Sequence, residues 1–483
     1  MRMNVVAVLC AGLLSSVFAA DETRPIIPPY KTWNQVPATP LKESSPVMPE
    51  RVVLPSGMVL YLLEDRELPL IECTLMLRFG EVHEENAGLT AAAMNVMRTG
   101  GSGAWPGDRL DAALEDLAAE VSFAPLLDSS TVTLNALKDD FPRVLEMIAS
   151  VLRAPAFPDD KLKIYLTQAR TQISKRNDSP VMISGREFRR ALYGKDSPYA
   201  RTVEYSTLAK IDRAALQNFH KNNVHPARMI CGVAGDFKKD ALIAALNKAF
   251  GEWPVPAPTA KVSPPVTYTP GPRTLFVERA RINQTAIMLG HALELRRDDP
   301  DFPAVQMMNE ILSGGMAARL FTEVRTKKGL AYSVRGQAVA NYDRPGMFYA
   351  SVLTRNEQAL DAAEAVRTEI VRLRDGGVTE TELEQAREGL LNSQVFQFDT
   401  PGKILQRQMT FEMYGYPANF ANTLLAKLKS VTTADIQRVA KTYLTPEKNV
   451  LLGVGNTEGL EAARSFLSVP GVEKVDVTIP AAP

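Results

Sequence analysis

A chain of 483 residues exceeds what one ordinary hydrophobic core serves, so two or more domains are expected. Hydrophobic residues at 45% and charged residues at 23% are globular proportions, and 55 Lys and Arg against 55 Asp and Glu leave no net field to draw in nucleic acid or anionic membrane. Recognition must rest on local surfaces.

Residues 1–20, MRMNVVAVLCAGLLSSVFAA, carry a basic start at Arg2, a short apolar run and small residues before Asp21. This is the pattern of a cleaved secretory signal peptide, with the cut after Ala19 or Ala20. Leu9 before Cys10 is not the small residue of a lipoprotein signal, so no lipid anchor is expected. No later apolar run reaches the roughly 18 to 20 residues of a spanning helix. The mature chain is expected to be exported, soluble and, in a Gram-negative host, periplasmic.

In the mature chain VVLPSGMVLYLLED and LIECTLMLRFG resemble two strands, LDAALEDLAAEVSF an amphipathic helix and STVTLNAL another strand. DFPRVLEMIASVL follows, with Phe141, Val144, Leu145, Ile148 and Leu152 at helical spacing. Helices cluster apart from strands instead of alternating with them, which favours an α+β layered domain over a doubly wound parallel sheet. Cys73 and Cys231 lie in the strand-like runs IECTLML and MICGVAG. They could form one disulfide, but buried free thiols are the favoured expectation there.

The stretch from 256 to 273, rich in Pro and Thr towards its end, reads as a linker between domains at 45–255 and 274–472. The two halves are copies. Leu208 matches Leu428, Ile211 matches Val431, Leu216 matches Ile436, Pro226 matches Pro446, Ile230 matches Val450 and Gly235 matches Gly455, each at a shift of 220. In both, a helix (RAALQNFHKNN or TADIQRVAKTY) ends before a His-Pro or Thr-Pro turn, and an apolar strand follows.

The segment HEENAGLTAAAMNVMRTGG, 83–101, opens with His83-Glu84, yet an H-E-x-x-H zinc helix would need a histidine where Ala87 stands. Glu84 and Glu85 lack the spaced oxygens of a calcium loop and are expected to be solvated. Gly88-Leu89 before this helix, Gly100-Gly101 after it and the later run NEILSGGMAARLFTEVRTKKGLAYSV resemble the insulinase and pitrilysin family, the metallopeptidases with the inverted H-x-x-E-H motif. The likeness spans about Pro49 to Pro470 and is closest to short two-domain members such as the subunits of mitochondrial processing peptidase. It implies two homologous α/β-roll domains, each a mainly antiparallel sheet packed against helices.

The resemblance places the zinc histidines at Ala91 and Asn95, the catalytic glutamate at Met94 and the last ligand near Gln172. An alanine methyl cannot coordinate, two neutral amides are poor zinc donors, and a thioether cannot take a proton. His83, His220, His225 and His291 are scattered without ligand spacing and are expected on the surface or satisfied in the core. No zinc is therefore expected in this chain, and the helix is expected to be a packing element presenting Leu89, Ala92, Ala93 and Val96. Arg325 and Tyr332 match the family's substrate-binding pair, a guanidinium and a phenol suited to a peptide carbonyl. The expectation is a non-catalytic subunit of a heterodimer whose H-x-x-E-H partner holds zinc and hydrolyses unfolded peptides. The alternative is a homodimeric or free scaffold that binds extended peptides, with no peptidase partner.

Overall fold

A computed structural model describes residues 47–253, 263–458 and 465–481. The signal segment 1–20 lies outside the described residues, as does the part of the 256–273 stretch up to residue 262. Residues 263–272 form neither helix nor strand.

The first half runs β1 (Glu50–Val53), β2 (Val59–Glu64), β3 (Leu70–Leu77), α1 (Leu89–Gly100), α2 (Gly107–Asp116), β4 (Glu120–Pro125), β5 (Ser130–Leu137), α3 (Phe141–Arg153), α4 (Asp159–Lys175), α5 (Pro180–Tyr193), α6 (Tyr205–Leu208), α7 (Arg213–Asn223), β6 (Met229–Gly235) and α8 (Lys239–Phe250). The second runs β7 (Arg273–Glu278), β8 (Gln284–Leu293), α9 (Phe302–Ser313), β9 (Ser333–Val339), β10 (Gly346–Arg355), α10 (Ala359–Gly376), α11 (Glu380–Ser393), α12 (Pro401–Tyr414), α13 (Phe420–Ser430), α14 (Thr433–Tyr443), β11 (Val450–Gly455) and β12 (Val472–Lys474).

Each half builds one six-stranded sheet, in the orders β1-β2-β6-β3-β5-β4 and β12-β7-β11-β8-β10-β9. The β2/β6 and β7/β11 pairs are parallel, as is β12 on β7; the remaining pairings are antiparallel. This is the expected α+β fold with mainly antiparallel sheets. The duplication is visible in α7 and α14, whose first and last residues are each 220 positions apart. Both begin at a side-chain cap, Asp212 to the N–H of Ala215 and Thr432 to that of Asp435.

Two segments differ from the sequence expectation. VVLPSGMVLYLLED is a hairpin of two strands, because Pro55-Ser56-Gly57 turns the chain: Gly57 N–H donates to Leu54 O, and Leu54 N–H to Met58 O. LDAALEDLAAEVSF is a helix only as far as Asp116; Ala118 adopts φ 47°. Beyond it the edge strand β4 pairs Val121 with Leu134 and Phe123 with Val132, so cross-strand burial outweighs helical continuity.

β6 is buried along nearly its whole length, because both faces are covered. One face meets the first half's own helices. The other meets α12 from the second half, where Leu405 and Met409 pack on Tyr61, Met76 and Ile230. The exchange is reciprocal: α5 of the first half sets Ile183, Phe188 and Leu192 against Leu275, Val277, Leu452 and Val454 of the second sheet. After β12 the chain returns to the first half, where Asn177 Nδ2 donates to Val477 O at 2.6 Å and Ile479 packs on the first core. Among the described residues no helix is long and apolar enough to cross a membrane.

Candidate functional site

The helix on which the resemblance places the family's metal positions is α1. It starts at Gly88, whose φ of 94° suits glycine, and its free N–H groups meet Glu84. That carboxylate accepts from Gly88 N at 2.8 Å and Thr90 N at 2.7 Å and is 7% exposed. Glu84 is therefore a buried cap, not a solvated loop residue, because orphan donors at a buried helix start need an anionic acceptor. Burial pushes its carboxyl upward against the opposing pull of those two N–H groups. Glu85 is exposed, as expected.

Ala92, Ala93, Val96 and Met97 are buried in the first core, and Leu89 packs against it partly buried. Met94, expected from the resemblance at the place of the catalytic glutamate, joins them with no exposed surface. Ala91 and Asn95 share the half-exposed face, while Gln172 is exposed on α4. A methyl, a core thioether and two neutral amides do not make a zinc site. Among the described residues no group of three or more His, Cys, Asp or Glu could hold a metal ion.

The four histidines have other uses. His83 Nδ1 accepts from Gly80 N, and His225 Nδ1 from Ala227 N. His220 Nε2 donates to Leu152 O at 2.7 Å, and burial holds its imidazole below the usual value. His291 bridges Asn449 Oδ1 at 2.7 Å and Tyr443 O at 2.8 Å. Cys73 and Cys231 are free and buried, with sulfurs 3.7 Å apart. The neighbouring Cys73 and complete burial push the Cys231 thiol upward, away from nucleophilic use.

In the second half α9 lies on β9 as α1 lies on β4. Asn309, which stands 214 positions after Asn95, uses its amide to donate to Ala338 O at 2.9 Å and accept from Ala338 N at 2.8 Å. The chain then passes through a widened π-type helical turn, Phe321–Lys327, that presents Arg325. Such turns recur at functional positions because they re-aim side chains. The guanidinium of Arg325 is exposed and lies 4.6 Å from the Phe321 ring centroid. At Gly329, φ 62°, the chain reverses and leads into β9. Tyr332, immediately before β9, is 71% exposed, so it does not fill the core. Arg325 and Tyr332 thus stand on one short exposed connection, with no hydrogen bond between their side chains among those of the described residues.

Arg319, just before that turn, fixes it to α11. Its Nε and Nη2 meet the Glu382 carboxylate at 2.7 and 2.9 Å, and Nη2 also meets Gly377 O at 2.8 Å. Burial alone would raise Glu382, but the Arg319 fork and the Thr379 N–H overcome it and hold the carboxyl at about 2, below the usual 4.5. The folded-state value lies below the unfolded one, so this stabilisation is complete above about pH 4.5 and is lost as pH falls towards 2. Glu382→Gln should flatten that part of the acid limb in thermal melts. A variant whose melting temperature tracks the parent's over this range would show that Glu382 has no such linkage.

The junction between the halves was not legible in the sequence. Asp128 in the β4–β5 turn meets Arg344 of the second half at 2.8 and 3.0 Å, and Arg344 lies 4.7 Å over the Tyr199 ring. The partners are 216 positions apart, and no local pattern announces such a pair.

Residues 64–203 match the family described as Insulinase (Peptidase family M16), and residues 210–390 match Peptidase M16 inactive domain. An uncharacterized zinc protease of Mycobacterium tuberculosis is 26% identical over 339 residues, 69% of this chain and 76% of that protein. A Helicobacter pylori protein named non-peptidase homolog YmxG is 21% identical over 333 residues, 68% of this chain and 76% of that one. Among solved structures, a peptidase M16 inactive domain from Pseudomonas fluorescens superposes with a TM-score of 0.76 at 23% identity, covering 86% of this chain and 99% of its own. The sheet order, the duplicated helices and these matches together make this chain a member of the insulinase family.

Proposed function

We propose that this chain is the non-catalytic subunit of a heterodimeric zinc peptidase, exported from the cytoplasm and holding unfolded peptide for an H-x-x-E-H partner that carries the metal. The observation that carries this reading is a contrast: the α1 positions offer no metal donor, while Arg325 and Tyr332 remain exposed on one connection. A guanidinium supplies five donors and a phenol one, enough to hold and polarise a peptide carbonyl. The fold supplies the platform, and the partner supplies the ion.

The test compares zinc content and peptide hydrolysis for the isolated chain and for the complex co-purified from its native host. The isolated chain is expected to hold no stoichiometric zinc and to turn over no peptide, and the complex is expected to be active. Arg325→Ala or Tyr332→Phe should lower turnover of the complex about a hundredfold, the lower end for losing a donor to a developing oxyanion, without separating the subunits. Zinc and turnover in the isolated chain would sink the proposal. The name of the Helicobacter pylori relative, a non-peptidase homolog, favours a second reading: a peptide-binding scaffold with no peptidase partner. Peptide binding with no co-purifying H-x-x-E-H protein would select it.

A further inference from the structure

In the second half a cavity of about 220 Å³ opens between α9, α12 and α13, and its lining mixes polar side chains, Arg297, Gln397 and Arg407 among them, with the apolar Phe411, Phe420 and Leu424. Both guanidiniums meet only neutral groups. Arg407 Nη2 donates to Gln397 Oε1 at 3.2 Å, and its guanidinium lies 4.3 Å over the Phe398 ring. Arg297 donates to Ala340 O at 3.2 Å and Tyr342 Oη at 3.3 Å, lying 4.4 Å over the Tyr342 ring. Among the described residues no carboxylate forms a salt bridge with either.

Two half-buried cations facing one cavity without an anion are costly. Burial and the charge of Arg297 hold Arg407 below its usual value, opposed by Tyr342. Both guanidiniums would be satisfied by one planar anion, and a carboxylate matches a guanidinium fork in two parallel hydrogen bonds. The apolar part of the lining specifies what is attached to the anion. Two phenyl rings and a leucine favour an apolar substituent, and the volume suits one residue rather than a long chain.

We propose that this cavity binds an apolar carboxylate at Arg407, of the kind presented by the free C-terminal residue of a peptide or by a small aromatic or aliphatic acid. The site does not depend on pairing with a peptidase.

The full chain is titrated calorimetrically with N-acetyl-phenylalanine and with its amide. The acid should bind in the millimolar range or tighter, the amide at least tenfold more weakly, and added salt should weaken the acid. Arg407→Gln should reduce the acid's affinity at least tenfold while leaving the amide unchanged. Leu424→Trp, which fills the cavity and keeps both arginines, should abolish binding of the acid and serves if Arg407→Gln does not fold. A peptide ending in free phenylalanine then distinguishes the sources. Tighter binding than N-acetyl-phenylalanine assigns the site to peptide termini, and equal or weaker binding assigns it to small acids. Acid and amide binding alike, neither binding, or a folded Arg407→Gln that keeps the acid's affinity would overturn the proposal.

Discussion

Arg344→Leu is expected to destabilise the folded chain by about 2–3 kcal/mol, below the roughly 3–5 kcal/mol for deleting one partner of a fully buried ion pair because this one is only part-buried. Arg344 and Asp128 have side chains only 11% and 19% exposed and meet at 2.8 Å, while Asp343 reaches the same guanidinium at 2.9 Å. Removing the cation leaves two carboxylates facing each other in a poorly solvated junction. Asp128→Ala should cost less, because Asp343 still neutralises the arginine. The double variant should therefore be more stable than the sum of the two losses predicts. Chemical denaturation at constant m-value reads all three. An Arg344→Leu midpoint equal to the parent's would mean that the junction is wet and the pair idle.

A graded loss is expected at Gly232, where β6 of the first sheet packs on α12. A Cβ placed there would sit 2.5 Å from Met409 Sδ and 3.2 Å from Leu405 Cβ. Gly232→Ala should be mild, since the end of a methionine can rotate away and alanine removes some of glycine's unfolded-state freedom. Gly232→Ile cannot be absorbed that way. It must lift α12 from β6, and about 3 kcal/mol, the upper part of the usual overpacking range, is expected. Faster amide exchange in α12 and β6 together would identify the cause. Isoleucine tolerated as well as alanine would show that α12 does not seat tightly.

Local chemistry made much of the fold legible. α7 and α14 are bounded by caps and carry one apolar face, so their limits and the shift of 220 could be read from the chain. β5 alternates inward and outward residues, and its limits could be read equally well. Longer-range competition hid the rest. Glu120–Pro125 continues a helical pattern and becomes a strand only because β5 lies alongside. Glu84 looked like part of a polar loop because the donors that bury it belong to the next element. At the candidate site, residue chemistry alone showed that Ala91, Met94, Asn95 and Gln172 are poor ligands. That Met94 points into the core while Tyr332 stands in solvent required the third dimension.

The reciprocal placement of α5 and α12 has a consequence for either repeat taken singly. A gene encoding either repeat by itself would yield a sheet with one side bare, sticky and dependent on a loan from its twin. Separating the two repeats should therefore give pieces that cling to one another or aggregate instead of standing alone.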